Sequence, residues 1–109
     1  MKDKGLTTRF PKWKPQYHTS KKFEHPNFRI RYSALRTASS NFTRKKEVLK
    51  FLLEKHNGQC VACGHTENLQ IDHMVSVYQC ATGYIPVTAL NSESNLQILC
   101  ERCHYGKRN

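Results

Sequence analysis

At 109 residues the chain has room for one domain, and its 38% hydrophobic content is low for a large apolar core, so something besides apolar burial is expected to hold it together. No run of 18 apolar residues occurs, and the opening "MKDKGLTTRF" lacks the apolar centre of a secretory signal, which points to a soluble, cytoplasmic protein. The net charge of +10 is uneven: residues 1–46 hold 13 of the 18 Lys and Arg against only Asp3 and Glu24, as expected for a polyanionic partner, although a solvated tail, an acidic protein or an anionic lipid surface would also suit such a segment.

In chain order, residues 1–28 contain Pro11, Pro15 and Pro26 without sustained periodicity and predict an irregular, extended arm with no helix. Aromatic residues (Phe10, Trp13, Tyr17, Phe23, Phe28, Tyr32, Phe42) are interleaved with the basic ones. They suit either stacking on bases or packing of the arm against the domain, and packing is the expected role. The stretch "RIRYSALRTASS", 29–40, predicts a short helix. "NFTRKKEVLKFLLEKHNG" predicts a better one, with Asn41 or Thr43 as N-cap, Val48/Leu52 and Leu49/Leu53 at helical spacing, and a stop at Gly58. Then come a Cys-containing turn, a strand "NLQIDHMV", a loop of some 20 residues with Gly83 and Pro86, an extended "LQIL", and a short helix from near Glu101. A loop that long is uncommon in a small domain unless it has a task.

Four of the five Cys form two Cys-x-x-Cys pairs, Cys60/Cys63 in "CVAC" and Cys100/Cys103 in "CERC". Two such knuckles match a tetrahedral Zn²⁺ site, because each turn aims two thiolates at one ion. Disulfides are disfavoured by an intracellular setting, and a redox Cys-x-x-Cys would come once, beside a βαβ pattern that is lacking here. Zinc would also supply the stability that the small core does not. The 36 intervening residues then form a structured insert pinned at both ends. Cys80 reads as a free thiol, and His65 as a polar turn residue.

Between the knuckles, "LQIDHMV" sets Asp72 and His73 inside an apolar strand, and Asn95 in "SNLQILC" and His104 in "CERCHYGK" follow. With Lys107 three residues further on, this order resembles the HNH endonuclease family in the form whose zinc knuckles bracket the motif. The resemblance covers about residues 44–108. It implies an α+β chain with a ββα-metal (His-Me finger) core and a four-cysteine zinc site, of the small stand-alone type met in phages, mobile elements and restriction systems. The implied division is a basic arm at 1–43 and a nuclease domain at 44–109.

The chemistry agrees with the residue types. Phosphodiester hydrolysis needs an activated water on one side of phosphorus and charge stabilisation at the leaving oxygen on the other. Adjacent strand residues point to opposite faces, so Asp72 and His73 can do separate jobs. By the resemblance His73 is the general base, its imidazole titrating near neutrality. Asp72 and His104 hold a divalent ion, Mg²⁺ or Mn²⁺, with other metals admitted by the donor set. Asn95 matches the middle letter of the motif, and its amide supports the site by orienting the loop or His73 through hydrogen bonding. Each also has a plain structural reading: an interior histidine, a cap, a spare zinc ligand.

Lys107 and Arg108 are expected near phosphates, with Lys12, Lys14, Lys21, Lys22, Arg29 and Arg31 of the arm adding contacts to duplex DNA. One site cuts one strand, so double-strand cleavage implies a homodimer or two successive nicks. Many family members carry a Pro soon after the His and a Gly pair, whereas here Gly83 and Pro86 come later. The rival class is a catalytically silent zinc-binding DNA adaptor, and an RNA-directed nuclease is a second alternative.

Overall fold

The computed structural model describes residues 9–107. Their elements run α1 (Tyr17–Ser20), a 3-10 turn (Lys21–Glu24), α2 (Phe28–Thr43), α3 (Lys46–Lys55), β1 (Leu69–His73), α4 (Val77–Ala81), α5 (Val87–Leu90), a second 3-10 turn (Glu93–Asn95), β2 (Leu96–Cys100) and α6 (Glu101–Lys107). The two strands form an antiparallel pair in register from Leu69↔Cys100 to His73↔Leu96. The class is mixed α+β, as expected.

The arm departs from expectation at Tyr17–Glu24, which takes helical turns. Pro15 lies ahead of the first helical residue, where its missing N–H costs no ladder bond. Phe23 is buried and ties the segment to the core. Packing is also what the aromatics do: Phe10 lies edge-on to Phe42 and Phe51, and Trp13 packs between Phe23 and Phe42. Tyr17 is the exception, exposed with the Lys21 ammonium 5.3 Å above its ring.

Helix α2 is longer than 29–40. It begins where Asn27 Oδ1 accepts from the N–H groups of Arg29 (2.9 Å) and Ile30 (3.3 Å). Its inner face is Leu35, Ala38, Ser39 and Phe42, spaced by three and four residues. Phe42 continues that buried series, so Asn41 and Thr43 lie inside α2 and the next helix starts only after Lys45. Removing Leu35 from water contributes roughly 1.5–3 kcal/mol. Helix α3 ends as expected near Gly58: Asn57 turns left-handed (φ 57°) and the Gly58 N–H reaches back to the Leu53 carbonyl at 2.8 Å.

The segment after β1 is no open loop. Ser76 and Gln79 form a reciprocal capping box that starts α4. Cys80, Ala81 and Leu90 bury against Leu35, Ala38 and Phe23. A second cluster places Val48, Phe51 and Leu52 of α3 and Phe42 against Leu96 and Ile98 of β2, with Leu69 and Ile71 of β1 partly buried beside them. The sheet thus has one apolar face toward α3, while α6 follows β2 directly and packs on both strands. No helix among the described residues is long and apolar enough to cross a membrane.

Candidate active site and metal centre

The ligand sulfurs of Cys60, Cys63, Cys100 and Cys103 all lie within 4.8 Å of one another. Four thiolates around a tetrahedral ion at ~2.3 Å stand ~3.8 Å apart, so this set fits one ion. Cys60 sits behind a turn closed by its N–H to the His65 carbonyl and by Gly64 at φ +81°. Burial works against the Cys60 thiolate, yet backbone N–H groups of Cys100, Cys63 and Ala62 hold its pKa down to about 6. Hydrogen bonding to Cys100, Cys63 and Cys60 pushes Cys103 up to about 12. Thiols this close cannot all ionise without a cation among them, which is the electrostatic reason to expect a metal. His65 is exposed and its carbonyl closes the turn. Cys80 is buried in the first cluster with its thiol toward the Ile85 carbonyl.

On the neighbouring part of the sheet, Asp72 is buried to 5% exposure. Its two oxygens have different surroundings. Oδ2 accepts from Lys107 Nζ at 2.6 Å and from Gln97 Nε2 at 2.9 Å, Gln97 being the cross-strand partner. Oδ1 lies 3.7 Å from His104 Nε2. Two ligands of one ion at ~2.1 Å stand ~3.0 Å apart when adjacent and ~4.2 Å when opposite, so Asp72 Oδ1 and His104 Nε2 fit a shared divalent ion.

His73 points to the other face, and its Nε2 lies 2.7 Å from Asn91 Oδ1 and 3.2 Å from Ser39 Oγ. Ser39 Oγ–H donates in turn to Asn91 Oδ1 at 3.2 Å. An amide oxygen only accepts, so Nε2 carries the ring proton and Nδ1 has the lone pair. Nδ1 has no hydrogen bond among the described residues. Burial lowers the His73 pKa most; the Asn91 bond and the Asp72 charge raise it, and Lys107 lowers it again, leaving it below the ordinary value. Asn91 Nδ2 is buried without a partner among the described residues, which costs about 1–3 kcal/mol.

Asn95 does not reach His73. Its Oδ1 accepts from Val75 N–H (2.8 Å) and its Nδ2 donates to the carbonyls of Val75 (3.1 Å) and Leu90 (2.9 Å), stapling the chain after β1 to the chain before β2. The histidine is held instead by Asn91 and Ser39, neither of which the motif contains. Asp72, His73, His104 and Lys107 line one open cleft of about 450 Å³, walled on the far side by Tyr32 and Arg36 of α2 and by Tyr78 of α4.

The basic residues expected at DNA differ in their surroundings. Lys12, Lys14, Lys21, Lys22 and Arg29 are exposed. Arg31 is committed elsewhere: its guanidinium donates to the carbonyls of His25, Pro26 and Ala81, tying α2 to the end of α4. Lys107 Nζ donates to Asp72 and also to the His73 carbonyl at 2.7 Å. Arg108 lies outside the described residues.

An antiparallel strand pair followed by a helix, with Asp72 and His73 on β1 and His104 on α6, is a ββα arrangement. Residues 60–109, just under half of the chain, match the family model described as HNH endonuclease. The match starts at the first knuckle cysteine and leaves α2 and α3 outside it. Neither curated proteins nor solved structures gave a match to the chain.

Proposed function

We propose that the protein is a metal-dependent endonuclease that hydrolyses phosphodiester bonds in DNA. The observation that carries this reading is the split environment of adjacent residues in one cleft: Asp72 Oδ1 faces His104, while His73 Nε2 is anchored by Asn91. Asp72 and His104 would hold Mg²⁺ or Mn²⁺, which when bound stabilises charge on the phosphate and the leaving oxygen. Lys107 and Gln97 occupy Oδ2 and so keep Oδ1 turned to His104. His73, anchored through Nε2–H, takes a proton from water at Nδ1; burial and the nearby Lys107 ammonium favour its neutral form. Asn95 holds the cleft's rim as a positioning residue.

The four-cysteine centre is read as structural Zn²⁺, the thiolate set favouring that metal. Duplex DNA is the proposed substrate, cut one strand per site, with two strands cut by a dimer or by two successive nicks. Residues 1–43 are read as the segment that adds DNA contacts, and the proposed setting is cytoplasmic, where cysteines stay available as thiolate ligands. Supercoiled plasmid incubated with the protein and Mg²⁺ or Mn²⁺ should become nicked, and the same mixture without a divalent ion should not. Intact plasmid across both metals, together with retained DNA binding, would establish the silent adaptor instead; cleavage of RNA but not DNA would move the substrate class.

A further inference from the structure

The outer side of α2 opens into the cleft, and α2 lies outside the residues that match the family model. Three hollows share walls in sequence. The cleft that holds Asp72 and His73 is bounded by Tyr32 and Arg36. The next hollow, about 330 Å³, shares both of these and runs past Ser33 and Ser40 to Arg44. A third, about 410 Å³, shares Thr37 and Asn41 with the second and ends at Lys14 and Lys45. The hollows therefore form a run of adjoining depressions around α2.

Beyond the cleft that holds Asp72, its lining has one sign of charge. From His25 to Lys46 the sequence contains no Asp or Glu. Arg36 lies against the Tyr32 ring at 6.0 Å, and Arg44 Nη2 donates to Ser40 Oγ at 3.2 Å, so both heads are held over the depressions. Among the described residues none of Arg36, Arg44, Lys45 and Lys14 pairs with a carboxylate. Ser33, Thr37, Ser40 and Asn41 add neutral donors between the cations. This is the donor set that phosphate oxygens take, and it carries no element that reads a base. Arg36 to Arg44 spans about 12 Å of helix, close to the axial rise of three to four nucleotides of one strand.

We infer that the run of depressions around α2 is a track for the phosphate backbone of one DNA strand, with Arg36, Arg44 and Lys45 as its cations, leading the strand into the cleft at Asp72 and His73. The assignment rests on the nuclease reading for the choice of a nucleic acid over other polyanions.

The test measures binding of a fluorescent DNA duplex over a range of salt, without added Mg²⁺ or Mn²⁺, and measures plasmid nicking separately. Arg36→Gln/Arg44→Gln/Lys45→Gln should weaken binding and reduce the slope of log K against log salt by about 2 to 3, since each phosphate contact contributes ~0.9. Arg44→Glu alone should reduce it by at least about 0.9. Lys46→Gln/Lys50→Gln, exposed on α3 and outside the depressions, should leave the slope unchanged. Unchanged slopes in the triple variant and in Arg44→Glu, or an equal loss in the α3 pair, would overturn the track even if the protein nicks DNA. Slope losses as expected in a protein that never nicks would uphold the track and sink the nuclease.

Discussion

His73 Nε2 and Asn91 Oδ1 stand 2.7 Å apart, and this bond decides which ring nitrogen is free. The amide comes from the end of α5, and Ser39 of α2 touches both partners, so the His73 ring is oriented by side chains from outside β1. Asn91→Ala should keep the fold and the metal content but slow nicking, by up to about 10²-fold, the scale of loss when a reacting group is misplaced by an ångström. Ser39→Ala should cost less, since Asn91 remains. Nitrogen-15 spectra of His73 should show the Nε2–H tautomer in the wild type and a mixture in Asn91→Ala. A single unchanged tautomer in both would mean that the amide does not set the ring.

The pH dependence has a definite direction. The His73 pKa is lowered from 6.5, by burial first and by Lys107 last. A base with a lowered pKa stays neutral as pH falls through 6.5 and is lost only beneath that. The acid limb of the nicking rate should therefore lie below pH 6.5. Lys107→Met removes a charge that disfavours the imidazolium and should move the limb to higher pH. A limb at or above 6.5 in the wild type, or a shift the other way in the variant, would contradict the assigned base.

The thiolate cluster makes its own prediction. Cys60 lies buried against Leu99 and Cys100, so the four-cysteine cluster joins the turn before β1 to the end of β2. Cys60→Ser and Cys103→Ser should each lose bound zinc and the cooperative thermal transition together, because ion binding is folding free energy in so small a unit. One zinc per chain retained in both variants would rule out the four-cysteine centre. Cys80→Ala should keep the zinc, because Cys80 packs in a different cluster.

The parts of the site legible in the sequence were those close together in the chain or in fixed order: the two knuckles, Asp72 next to His73, and His104 behind the last cysteine. Asn95 was legible as a support for the loop or for His73, and its bonds to Val75 and Leu90 are of the first kind. Ser39 and Asn91 were hidden because a buried Ser in a helix and an Asn after one look like ordinary polar residues until tertiary packing brings them within 3.2 Å. Gln97 was recoverable in principle, since strand pairing places it opposite Asp72. The insert read as a loop although "SVYQ" holds a capping box, a local signal that five-residue helices express weakly without a core to lean on. At the α2–α3 junction the cap-forming Asn41 and Thr43 favoured a break, and burial of Phe42 overrode them.

The most direct test is the first-order nicking rate of supercoiled plasmid at saturating Mn²⁺ for the wild type and His73→Ala, with zinc content and DNA binding measured on both. Zinc content should be equal, DNA binding similar, and the rate of His73→Ala lower by about 10²–10⁴-fold, the usual contribution of a positioned base. Equal rates in the two proteins would contradict His73 as the base.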